Sequence, residues 1–306
     1  MLSPKVEAAC ADISALRVQG ARKIAEAAVK AMAAQAKESD ARTLDGFKSD
    51  LLVAADALAK ARPTEPMLQN SLRFIFAELE RRKPKAVAAA RKAIASDEKA
   101  LLKRFDDNAE KIAGYGAQLV PEKGVVVTHC HSHTVVGAIR RAQEQGKDPV
   151  VFCTETRPRF QGLITARELA SSGVDVTLVV DSAARTVMRK ADLVLVGADS
   201  ITSTGDLVNK VGTAGIAAVA FDMDVEFYSC AELYKFDPLT VFGRATEMEV
   251  RDPREIADPY LLPGVRIANY SFDKTDAKFI SGFVTEKGVV SPHGLFNLAS
   301  REFGLG

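Results

Sequence analysis

Gly124-Val125-Val126-Val127-Thr128-His129-Cys130-His131-Ser132-His133 divides the chain into two textures. Upstream, apolar residues recur every three or four positions, the signal of amphipathic helices. From Gly124 onward, short β-branched runs alternate with helix-length segments. The runs are Val125-Val126-Val127, Val150-Val151-Phe152, Val176-Thr177-Leu178-Val179-Val180, Leu193-Val194-Leu195-Val196, Val225-Glu226-Phe227-Tyr228 and Ile280-Ser281-Gly282-Phe283-Val284. Continuous apolar strands separated by helices imply a mainly parallel sheet, because parallel strands need crossovers that cover both faces. The predicted fold is α/β, with a helical domain over 1–119 and a Rossmann-like domain over 120–306.

In the helical part, Ser3-Pro4 reads as an N-cap and first helical position. It opens a helix whose apolar stripe includes Ile13, Leu16, Ile24 and Ala28. A second helix is predicted over 43–61 and a third over 67–82, separated by Arg62-Pro63-Thr64-Glu65-Pro66. Lys83-Pro84-Lys85 precedes one or two long helices over 86–119. No repeat of fixed period is present.

The 306 residues carry 41 Lys and Arg against 40 Asp and Glu, so the formal charge is +1. That balance argues against a nucleic-acid partner, and any bound anion must be held by a local cluster. No apolar run approaches the ~18 residues of a membrane helix, and the N-terminus lacks a basic segment followed by an apolar one. The expectation is a cytoplasmic protein without a membrane partner. Its four cysteines, Cys10, Cys130, Cys153 and Cys230, are too scattered for a disulfide scaffold.

In open parallel sheets, ligands sit beyond the carboxyl ends of the strands. After the first run come His129, Cys130, His131, Ser132 and His133. Three of the four histidines crowd here, yet no second ligand-rich segment closes a tetrahedral site, so no metal is expected. Cys130 is either an inert buried thiol or a reactive one favoured by the helix that Ser132 and His133 open. After the second run, Glu155 and Arg157 form either a structural network or part of a ligand site. Asp181 reads as a helix cap.

Asp199, in Gly197-Ala198-Asp199-Ser200-Ile201, is a candidate acid or base, or a turn residue. Asn209 and Lys210 precede Val211-Gly212-Thr213, which reads as a helix start suited to phosphate; the alternative is a solvated lysine. Lys235, in Glu232-Leu233-Tyr234-Lys235-Phe236, is a second cation at the same edge.

Together these strand-end segments resemble the translation initiation factor 2B regulatory subunits and their sugar-phosphate isomerase relatives. Arg62-Pro63-Thr64 extends the resemblance through the helical part. Thr128-His129-Cys130-His131-Ser132, Val180-Asp181-Ser182-Ala183-Ala184-Arg185 and Met248-Glu249-Val250-Arg251-Asp252-Pro253 are most similar to the archaeal ribose-1,5-bisphosphate isomerase branch. The resemblance implies aldose-ketose isomerisation of ribose 1,5-bisphosphate to ribulose 1,5-bisphosphate in nucleotide salvage. It makes Cys130 the base and Asp199 the acid. Substrate contacts then fall to Gln19, Gly20, Ala21, Arg22, Arg62, Ser132, His133, Arg157, Asn209, Lys210 and Lys235.

It further implies no cofactor, AMP as an allosteric activator, and a homo-oligomer, either a dimer or a hexamer. One departure stands out: the family's Arg-Gly-Ala phosphate loop reads Gln19-Gly20-Ala21-Arg22 here. Losing an arginine on a phosphate costs about 1.5–3 kcal/mol, and Arg17 and Arg22 are the candidates to compensate. The alternatives are a methylthioribose-1-phosphate isomerase and a noncatalytic regulatory subunit docking on initiation factor 2; the latter usually lacks the Cys and Asp pair.

Overall fold

Ser3 accepts a hydrogen bond from the Val6 N–H and Pro4 follows it, so the first helix begins where the cap and the proline place it. The computed structural model describes residues 2–245 and 248–304. They form two compact units, Met1–Asp107 and Asn108–Gly306.

The first unit holds α1 (Pro4–Ser14), α2 (Ala21–Glu38), α3 (Leu44–Ala61), α4 (Pro66–Arg82) and the first part of α5 (Val87–Leu119). The single helix expected through Ile13, Leu16, Ile24 and Ala28 is instead two. Leu16 (φ 58°) and Gly20 (φ 88°) adopt left-handed backbone, and the Gln19 side chain donates to the Leu16 carbonyl, which breaks the ladder. Helix α3 is capped by Thr43, and α4 starts at Pro66 and ends at left-handed Lys83. Helix α1 packs on α2 and α3, and α2 on α4. Ile13, Ile24, Phe47, Leu51, Leu58, Met67 and Ile75 are buried.

The end of α5 belongs to the second unit, where Ile112 and Ala117 join the sheet's core. That packing moves the division to an earlier point than the change of texture at Gly124. The unit continues β1 (Val125–Thr128), α6 (His133–Glu144), β2 (Val150–Thr154), α7 (Gly162–Ser171), β3 (Asp175–Val179), α8 (Ala184–Met188) and β4 (Leu193–Val196). Then come β5 (Ser200–Ile201), β6 (Leu207–Lys210), α9 (Thr213–Asp222), β7 (Glu226–Cys230), β8 (Phe272–Thr275), β9 (Gly282–Thr285), β10 (Gly288–Val290) and α10 (Pro292–Phe303).

Seven strands form one sheet in the order β10-β9-β7-β4-β1-β2-β3, parallel except for β10. Alternate side chains feed two cores, which is why these strands read as unbroken apolar runs. Val127, Val194, Val196, Phe227 and Phe283 pack with residues of α8, α9 and α10. Val126, Val151, Leu193, Leu195 and Tyr228 pack with residues of α5, α6 and α7. No helix among the described residues is long and apolar enough to cross a membrane.

The sequence reading missed a second, antiparallel sheet of order β5-β6-β8. Asn209 and Lys210 therefore lie at the end of β6, with Gly212 (φ 107°) turning the chain into α9.

Strand β1 lies between β4 and β2, so the chain leaves it in one direction to β2 and β3, then returns to its other side at β4. This reversal is the topological switch point where open α/β sheets bind ligands. At its rim, a Cβ on Gly197 would lie 2.8 Å from Ser132 Cβ and Oγ. Gly197→Ala is accordingly expected to displace Ser132 and lower stability by about 1–3 kcal/mol, measured by urea unfolding.

Candidate active site

The switch point places Cys130, two residues beyond β1, beside Asp199, three residues beyond β4. Cys130 is a non-glycine residue at φ 66°, and Thr156 opposite it is at φ 64°. Both conformations are costly and persist where surrounding bonds over-determine them. The Cys130 N–H donates to Thr156 Oγ1 (2.9 Å), and the Cys130 carbonyl accepts from Thr165 Oγ1 (2.9 Å). The Thr156 N–H in turn donates to Asp181 Oδ1 (2.7 Å) and the Arg157 N–H to Asp181 Oδ2 (2.7 Å). The Asp181 side chain thus ties the β2 and β3 ends together, instead of capping its own helix as the sequence suggested.

Although Cys130 is only half-buried at the surface, burial of its thiol pushes the pKa up to about 12. Lys210 opposes that rise, whereas Asp199 and Asp181 add to it. Burial thus holds the proton on the thiol, against the pull of the helix that follows. The dipole of α6 is too small to offset the desolvation of a buried anion.

Lys210 is 7% exposed, and its Nζ sits 4.8 Å from the centre of the Phe272 ring. Among the described residues it forms no ion pair at hydrogen-bonding range, while its charge acts on Cys130, His129 and Asp273. A buried cation of this kind is suited to an incoming anion. Lys235 donates to the Ala198 carbonyl (2.6 Å), next to Asp199, and Asn209 donates to Thr213 Oγ1 (3.1 Å).

The two helix N-termini at the rim differ. At α9 the Gly212 and Ala214 N–H groups already donate to Asp273 (2.7 and 3.2 Å), so the phosphate role expected for that turn is filled by the protein's own carboxylate. At α6 the Ser132 hydroxyl leaves the first turn uncapped and bonds Thr134, whose hydroxyl donates to the Cys230 carbonyl. That end keeps its attraction for an anion.

His129 was not a predicted site residue, yet it crosses three elements. Its Nε2 bonds the Val211 carbonyl (2.9 Å) and therefore carries the proton; Nδ1 then accepts from Thr154 Oγ1 (2.6 Å). Burial lowers its pKa and keeps the ring neutral. Asp273 was missed as well, because it lies on β8, for which the sequence shows no apolar run.

Other predicted residues have partners of their own. Arg157 is exposed, donates to the Ile256 carbonyl (3.1 Å) and stacks over Phe160 (5.0 Å); among the described residues no ion pair joins it to Glu155. His133 packs edge-on against His131 (4.7 Å between ring centres). Gln19, Gly20, Ala21, Arg22 and Arg62 belong to the helical unit. There Arg22 pairs with Glu26 (2.8 Å) and Asp106, and Arg17 with Asp12 (2.6 Å), so both arginines expected to compensate for Gln19 hold carboxylates of their own unit.

Comparison with known proteins shows similarity over nearly the whole chain. The chain is 39% identical over 297 residues to a ribose 1,5-bisphosphate isomerase of Methanocaldococcus jannaschii, covering 95% of this chain and 93% of that protein. Its fold superimposes on a translation initiation factor eIF-2B of Pyrococcus horikoshii OT3 with a TM-score of 0.82 and 32% identity, covering 95% of this chain and 98% of that one. A 5-methylthioribose 1-phosphate isomerase from the same organism gives a TM-score of 0.78 at 29% identity, covering 98% and 88%. The model of the Initiation factor 2 subunit family matches residues 17–292, nearly the whole of both units, and the chain belongs to that family.

Proposed function

We propose that this protein is an aldose-ketose isomerase that converts ribose 1,5-bisphosphate to ribulose 1,5-bisphosphate. The observation that carries the reading is a thiol and a carboxylate, Cys130 and Asp199, meeting at the switch point under the influence of the buried Lys210 cation. The name of the Methanocaldococcus relative supports the substrate.

The isomerisation balances without an outside oxidant or reductant. As the C1–O4 ring bond breaks, O4 takes a proton. The C2 proton is then removed, its electron pair forming a C1=C2 enol phosphate. A proton returns to C1 while the C2 hydroxyl gives up its own, leaving a ketone at C2. Cys130 takes the C2 proton and Asp199 serves as the acid. Because burial holds the thiol proton, the reactive form is the thiolate left when that proton passes to solvent, and Lys210 is the group that stabilises it. Lys210, Lys235 and the open α6 N-terminus with Ser132 receive phosphate oxygens, and Asn209 supports the same edge.

No cofactor enters the scheme, and AMP acts as an activator in the same reading. The exposed side chains of Phe242, Val250, Tyr260, Leu261, Val265 and Tyr270 offer an apolar surface for a homo-oligomer.

The test is a side-by-side assay of ribose 1,5-bisphosphate and methylthioribose 1-phosphate, with and without AMP. Ribulose 1,5-bisphosphate is the expected product. Turnover of only the methylthio sugar would reassign the substrate, and stable binding of initiation factor 2 without any turnover would make the protein a regulatory subunit. Lys210→Met is expected to raise KM for the bisphosphate roughly 10- to 100-fold, the scale of a lost charged hydrogen bond.

A further inference from the structure

We propose that His131, His133 and Glu168 form a binding site for a divalent transition-metal ion of the zinc class, on the turn that carries Cys130. One ligand atom from each of the three lies within 4.8 Å of the others. His131 belongs to the β1–α6 turn, His133 is the first residue of α6, and Glu168 comes from α7, which packs against α6.

The hydrogen-bond pattern is compatible with a cation between them. Thr165 Oγ1 has a single proton and donates it to the Cys130 carbonyl (2.9 Å), so in its contact with His131 Nδ1 (3.1 Å) it must accept. Nδ1 therefore carries the ring proton. In a neutral ring Nε2 then turns a lone pair toward Glu168 Oε1, 3.8 Å away. Two acceptors facing each other at that range are joined by a donor or a cation between them: a proton on Nε2, a water or a metal ion. His133, edge-on against His131, adds a second imidazole where a lone proton would need only one carboxylate.

The separations suit a small ion. Metal–ligand bonds of about 2.0–2.2 Å in tetrahedral geometry place ligand atoms about 3.4 Å apart. The His131–Glu168 pair is a few tenths of an ångström wider, and the remaining closure falls to His133, which is exposed, and to the Glu168 side chain, which is 40% exposed. Two imidazoles and one carboxylate favour zinc over calcium or magnesium, which take oxygen ligands. Three protein ligands leave a position for water.

A metal on Nε2 would also lock the Nδ1–H tautomer, and with it the chain from His131 through Thr165 to the Cys130 carbonyl. This assignment takes His133 out of the phosphate set, and it stands apart from the isomerase reading because its readout is bound metal and not turnover.

The test is equilibrium dialysis of the full-length, chelator-stripped protein against zinc chloride, with cobalt(II) absorption as a report on ligand type. The expected result is one zinc per chain, a cobalt spectrum without a sulfur charge-transfer band, and at least tenfold weaker binding in both Glu168→Gln and His131→Gln, with Cys130→Ser unaffected. Glu168→Gln is a near-isosteric change at a half-exposed side chain, so its fold is expected to survive. Absence of stoichiometric zinc, binding unchanged in Glu168→Gln, or binding lost in Cys130→Ser would each overturn the site, the first leaving a protonated His131–Glu168 pair and the last a thiol site.

Discussion

Cys130→Ser is expected to lower turnover of ribose 1,5-bisphosphate by about 100- to 10,000-fold while the protein stays folded, the range that a single positioned acid or base contributes. The fold survives because the bonds that hold residue 130 at its left-handed φ run through the main chain: its N–H to Thr156 and its carbonyl from Thr165. A serine hydroxyl keeps those bonds but cannot carry negative charge in a site that already raises a thiol to about 12. Asp199→Asn is expected to fall in the same range. Its backbone N–H to the Val208 carbonyl (3.0 Å) is retained, and only the exchangeable proton is lost.

The two variants differ in their pH behaviour. With the thiol pKa raised by burial, the thiolate fraction grows with every pH unit below 12, so kcat/KM of the wild type is expected to climb from pH 6.5 to 8.5 without a plateau. Residual activity in Cys130→Ser should lose that slope, whereas Asp199→Asn should keep it. Full activity in either variant would show that the roles are misassigned.

The main sheet was readable because its strands are buried on both faces. Val125–Thr128 and Leu193–Val196 leave little room for polar residues, and an unbroken apolar run is the signature of that burial. The strand-end rule then picked out Cys130 and Asp199, although only the observed order, with β4 beside β1, makes them neighbours. The small sheet was not readable for the opposite reason. Strand β6 ends in Asn209 and Lys210, and β8 contains Asp273 and Lys274, so neither shows an apolar run.

Missing β8 meant missing Asp273, and with it the carboxylate that occupies the start of α9. That Gln19–Arg22 is a phosphate loop was implied by the family resemblance alone. Its Arg22 pairs with Glu26, one turn along α2, and with Asp106, a tertiary neighbour 84 positions away that no local pattern announces. Glu168 carried no signal at all: one acid on a helix becomes a candidate ligand only when α7 packs beside the histidines.

Stability is expected to fall steeply above pH 9, and most of the cause lies in two cysteines that take no part in the chemistry. Cys153 and Cys230 are 1% and 0% exposed and lie in the core formed by Val126, Val151, Leu195, Tyr228 and Val284. Burial pushes each thiol up to about 12 from an ordinary value of 9.0. Between those two values the unfolded chain has released the protons that the folded protein still holds. Unfolding therefore binds fewer protons in the unfolded state, and stability drops as pH rises through that window and is unaffected below it.

Together with Cys130, raised likewise to about 12, three such thiols give a slope of about 4 kcal/mol per pH unit, a large share of the roughly 5–15 kcal/mol that holds a typical domain together. Tyr228, raised by the same burial and by Glu226, steepens the loss above pH 10. Urea unfolding followed by circular dichroism between pH 7 and 10.5 measures the slope directly. Cys153→Val should lower it by about a third whatever the substitution does to packing, because the slope counts protons while a packing change shifts all pH values alike. A flat profile from pH 9 to 10.5 would mean that the core lets these thiols ionise in place.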